Sequence, residues 1–138
     1  MEPLALSDAT RATAGVLLPS IVAVESGGLF LLTVLRRLVP ATPFQAAFYR
    51  AGHAHAGVLV TLALASQLFV DAVVIDGLAG ILARSGIAGA AILMPAGFFL
   101  SALGRERSRP NALVALVYLG ALGLAAGSLS LGLGLLAG

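Results

Sequence analysis

Four ionisable side chains sit where the chain is otherwise apolar: Glu25, Arg50, His53 and His55. The two histidines are the only ones in the protein, and they share the stretch Arg50-Ala-Gly-His53-Ala-His55-Ala-Gly57, inside or beside a segment apolar enough to span a membrane. Glu25 lies near the middle of another such segment. An ionisable group in hydrocarbon costs roughly 2.5–3.5 kcal/mol for Asp, Lys or Arg at a helix centre, so a chain that keeps several pairs them or uses them. Neutral imidazole with a carboxylate suits a transition-metal ion, and imidazole also titrates near neutral pH. His55 and Glu25 are therefore the expected metal ligands. His53, His55, Glu25 and Arg50 are the expected cofactor contacts, with Arg50 also reading as an interfacial anchor. The bland alternative is a buried Glu25–His hydrogen bond between helices.

The elements that must position these residues are helices in a bilayer. Hydrophobic residues make up 59% of the 138 and charged residues 10%, against about 25% charged in a soluble domain. The mean hydropathy is +1.05. Lys and Cys are absent, which excludes a Schiff-base cofactor, disulfides and thiolate metal sites. The net charge of +2 comes from eight Arg spread over loops and does not point to nucleic acid. No HExxH, Walker loop, dinucleotide fingerprint or nucleophile–base set is visible, so a hydrolytic or transferase enzyme is not expected.

Four apolar segments fit spans of about 20 residues: residues 14–35, 51–75, 87–103 and 112–137. They predict an all-α, polytopic integral membrane four-helix bundle as a single membrane domain. Arg36, Arg37 and Arg50 lie between spans one and two, and Arg105, Arg107 and Arg109 between spans three and four. The positive-inside rule puts both loops in the cytoplasm of a cell (inner) membrane and both termini outside. Thr42-Pro43-Phe44-Gln45 reads as a helix start with a capping box, making spans one and two an antiparallel hairpin that turns near Pro40.

In that hairpin, facing residues have numbers that sum to about 80, which sets Glu25 level with His55. His53 and His55 are about 200° apart on a helix and cannot both bind one ion. The stripe through Arg50 and His53 continues to Gln67 and Asp71, a candidate polar pathway broken by Val60 and Leu64. Asp71 and Asp76 are expected in water at the outer interface. Ser26-Gly27-Gly28 would let a backbone or flat ligand approach. Pro95 suggests a kink in the third span, and Gly120, Gly123, Gly127, Ser130 and Gly134 form a stripe with a GxxxG match, a close-packing device.

The Arg50-x-x-His53-x-His55 segment resembles the haem-ligand helix of haem–copper oxidase and nitric oxide reductase catalytic subunits. That resemblance implies His53 as an axial ligand to b-type haem. The chain departs from those families in having no copper-site histidines and no second histidine-bearing helix. It also resembles small four-span bacterial membrane proteins with Glu-Ser-Gly-Gly and Gly-His-Ala-His-Ala-Gly patterns, which implies the fold and no activity. Three functions compete: binding of haem b or a transition-metal ion, a proton or ion conduit formed by a homo-oligomer, and a structural subunit of a larger membrane complex.

Overall fold

The computed structural model describes residues 5–138. The helices are α1 (Asp8–Leu35), α2 (Pro43–Asp71), α3 (Gly77–Ser101) and α4 (Ala115–Ala137), with a 3-10 turn at Ala112–Val114 leading into α4. All four are long and apolar enough to cross a membrane. The protein is an all-α four-helix bundle and a multi-pass membrane protein. The helices run alternately up and down. One end carries the arginine-rich connections, and the other carries the α2–α3 turn with Asp71 and the start of α1.

Local chemistry sets the helix starts. Ser7 caps α1 by accepting a hydrogen bond from Thr10 N at 3.1 Å. The expected capping box of α2 is present: Thr42 Oγ1 accepts from Gln45 N (3.1 Å), and Thr42 N donates to Gln45 Oε1 (3.0 Å). These bonds satisfy N–H groups that have no partner in the first helical turn. Gln45 is buried, and its Nε2 donates to the carbonyls of Ala102 (2.9 Å) and Gly104 (2.8 Å). It thereby closes the C-terminal end of α3 and ties the two arginine-rich connections together.

The helices differ from the apolar segments at the Asp71 end. Helix α3 begins at Gly77, well before Ile87, and α2 ends at Asp71 rather than at residue 75. The reason is Arg84, which reads as a break in apolar sequence but folds inward on the first turns of α3 to meet Asp71. Gly77 starts the helix at φ +63°, a left-handed conformation that favours glycine.

Helix α2 packs on both α1 and α3, and α3 packs on α4. The core between α1, α2 and α3 contains Leu17, Leu59, Val60, Ala63, Ile87 and Met94. Glycine sets the α3–α4 distance. A Cβ on Gly86 would lie 2.5 Å from Gly123 O and 2.9 Å from Gly127 Cα. The stripe on α4 is thus a packing surface whose counterpart on α3 is Gly86. Helix α1 is held less deeply: its buried residues are Thr10 and Leu17.

Candidate functional site

The hairpin has the register expected of it. Gly27 and Gly28 lie against His53, Phe30 against Tyr49 with ring centroids 5.2 Å apart, and Ser7 against Asp71. Glu25 is level with His55, as the numbering requires, but the two do not meet. One residue along a helix is a rotation of about 100°. Val24 faces α2, where a Cβ on Gly57 would stand 3.9 Å from it, and that turns Glu25 out to an exposed position. The ion pairs among the described residues are Arg11–Asp8 and Arg84–Asp71, and neither involves Glu25. No group of three His, Cys, Asp or Glu able to hold a metal ion occurs among the described residues. Arg50 is exposed near the arginine-rich end, which suits an interfacial anchor.

The histidines diverge as their spacing demands. His55 faces α3, with its ring centroid 4.9 Å from that of Phe98. Its Nδ1 pairs with the Ala51 carbonyl one turn back at 2.7 Å. A carbonyl can only accept, so Nδ1 is the donor in this bond.

His53 turns toward α1. Its Nδ1 lies 3.4 Å, and its Cε1 3.2 Å, from where Cβ atoms on Gly27 and Gly28 would sit. The two glycines therefore make the seat for the imidazole: a Cβ on Gly28 would crowd the ring, and one on Gly27 would just touch it. Nδ1 is fully buried and has no hydrogen-bond partner. Buried polar atoms are nearly always paired, because an unpaired one forfeits its hydration for nothing in return.

His53 also lines a groove of about 230 Å³ between α1 and α3, with α2 as its floor. The α1 wall carries Val16, Ser20, Ala23 and Gly27, and the α3 wall Ile92, Pro95 and Phe99. From Val16 to Gly27 it runs about 16 Å at 1.5 Å per residue. Its walls are mostly apolar. Pro95 has no N–H, so the Ala91 carbonyl on the same wall lacks its helical donor. At the arginine-rich end, Phe99 stacks on Tyr49 at 5.6 Å. Gly52 brings α3 this close, since a Cβ there would lie 2.9 Å from the Phe99 ring.

Gln67 and Asp71 belong to a separate cluster at the other end. Asp71 is not free in water as expected: its side chain is 13% exposed and pairs with Arg84 at 3.2 Å. It also accepts from Ser7 N (2.9 Å) and Ser7 Oγ (2.8 Å), while Arg84 donates to Thr10 Oγ1 (3.1 Å). Gln67 donates to the Arg84 carbonyl at 3.0 Å, the interhelical bond its position suggested, and its Oε1 is buried without a partner. Val60 in the core and Leu64 packed on it separate this cluster from His53, so the polar stripe is interrupted in space as in sequence. Arg84, Ser7 and Thr10 escaped the sequence reading. The available signal was a lone arginine beside an apolar segment, which either reaches the interface or pairs with a carboxylate.

Compared with models of protein families, with curated proteins and with solved structures, the chain has no significant match in any of the three.

Proposed function

We propose that this membrane protein binds an amphiphile dissolved in the bilayer, a single-chain or isoprenoid molecule with a hydrogen-bonding head, in the groove between α1 and α3. The observation that carries this reading is the buried, unpartnered Nδ1 of His53 at the edge of an elongated apolar groove. Small-molecule sites are typically apolar with a few placed polar groups. Here the apolar walls would take the chain, and the head would reach Nδ1 of His53 where α1 gives way at Gly27 and Gly28. Ser20 and Ala23 leave the α1 wall low enough for entry from the lipid side.

Haem b belongs to the same broad class of membrane-soluble ligands. It brings four ring donors of its own and needs only an axial imidazole, so the lack of a three-residue metal cluster does not bear on it. Reaching Nδ1 of His53 displaces α1 at Gly27 and Gly28 for either ligand, and a macrocycle would displace it further than a single hydrogen-bonding head. A metal ion would need Glu25 and His55, which do not meet, to be brought together and joined by further ligands. A conduit would need a path through the apolar layer at Val60 and Leu64.

The test is solvent extraction, mass spectrometry and an absorption spectrum of the full chain purified in mild detergent, beside His53→Leu and Ala23→Leu. A molecule retained near one per chain, and lost from both variants with helicity unchanged, supports the reading. Equal traces of lipid from all three proteins refute it. A Soret band with stoichiometric iron would transfer the assignment to haem.

A further inference from the structure

Helix α1 has a second face, turned away from the groove. Leu18, Val22, Glu25, Leu29 and Leu32 follow one another at alternating spacings of four and three residues, the 3.5-residue period of a left-handed helix pair. All five are exposed. Glu25 is the one polar residue in the row and sits at the centre of the apolar stretch 14–35. Neither a hydrogen bond nor an ion pair joins it to another described residue. Lipid tails offer a carboxyl group no partner, and intramembrane carboxyl groups characteristically face protein rather than lipid.

We propose that this face pairs with the same face of a second copy, the two Glu25 side chains hydrogen-bonding to each other at the bilayer centre. Copies inserted with one topology cross the membrane in the same direction and at the same depth. A two-fold axis along the membrane normal therefore brings Glu25 to Glu25 without any adjustment of register. A protonated carboxyl offers one donor and an acceptor, and a carboxylate offers acceptors only. Two acids, or an acid and a carboxylate, thus satisfy each other, and the face is complementary to itself as an isologous interface must be. The apolar residues on either side supply knobs-into-holes packing. A single polar residue in such a row fixes the pairing, as a buried Asn does in a coiled coil. The groove at His53 lies on another face of α1, so the dimer stands independently of any ligand.

The absence of cysteine makes the test direct. Single Val22→Cys, Leu29→Cys and Ala23→Cys variants of the full chain are placed in phosphatidylcholine vesicles and mildly oxidised. Disulfide-linked dimers are expected from Val22→Cys and Leu29→Cys and not from Ala23→Cys, which lies on the groove side. Energy transfer between labelled chains then compares Glu25→Gln with Glu25→Ala across a range of dilution in lipid. Glu25→Gln keeps a self-complementary polar pair and should retain the dimer. Glu25→Ala should weaken it by about tenfold, the size of one interhelical polar pair in a membrane. A monomer at every dilution, cross-linking as strong at Ala23→Cys as at Leu29→Cys, or association unchanged in Glu25→Ala would each overturn the proposal.

Discussion

Replacing Gly86 by alanine adds one methyl group where α3 meets α4, and the structure says what that methyl encounters. It would sit 2.5 Å from Gly123 O and 2.9 Å from Gly127 Cα, both backbone atoms that cannot rotate aside. A comfortable carbon–oxygen contact is about 3.3–3.6 Å, so α4 must retreat by about 0.8 Å at this level. Along the rest of the interface Gly97 meets Val117 and Gly120 meets Met94 with equally little room. The retreat therefore opens gaps at neighbouring positions, and a gap of that size forfeits about a quarter to a half of each dispersion contact. The expected cost is about 1–3 kcal/mol, a fall in Tm of roughly 3–10 °C, followed by circular dichroism in mild detergent. Gly89→Ala is the matched control: it lies on the same helix with nothing within 4 Å of the added Cβ, and alanine favours helix over glycine. It should leave Tm unchanged or slightly raised. If Gly89→Ala lowered Tm as much as Gly86→Ala, glycine would be acting through backbone properties, and the close-approach argument would fail.

Gln45→Leu should destabilise by about 1–3 kcal/mol, because it removes the close donor from the buried Ala102 carbonyl, leaving it only Tyr49 Oη at 3.5 Å, while the exposed Gly104 carbonyl turns to water. Gln45→Glu, nearly the same shape, should be no better at neutral pH, since a carboxylate cannot donate to either carbonyl; thermal unfolding of the pair checks this, and a wild-type Tm in the Glu variant would disprove it. Asp71→Ala should cost about 1.5–3 kcal/mol for its hydrogen bonds to charged and capping groups. It should also speed proteolysis near Ser7, because α1 has few other buried anchors; unchanged cleavage would mean that α1 is held elsewhere.

Much of this molecule could be read before folding, and the successes share a cause. The number of helices follows from the four apolar segments, and the α2 start follows from Thr42 and Gln45, whose bonds span only three residues. The α4 glycines pointed to close packing by their GxxxG spacing, although glycine is frequent along the whole chain. The pairing of Arg84 was illegible for the opposite reason. Its partner Asp71 is on another helix, and a spacing of thirteen residues across a turn has no local signature. Asp71 was accordingly expected in water. The His53 seat was half legible: Gly27 and Gly28 signalled a close approach, but not what approaches.

What the sequence determined by itself was depth. Residue numbers and a turn near Pro40 set Gly27 beside His53 and Glu25 level with His55, because an antiparallel hairpin has one register once its turn is placed. What only the tertiary structure decided was direction. A helix can rotate about its own axis without changing the depth of any residue, and the packing of whole faces settles that angle: Val24 against Gly57, Phe99 over Gly52, the imidazole of His53 on two glycines. That rotation sent His53 toward the groove, His55 toward Phe98 and Glu25 outward.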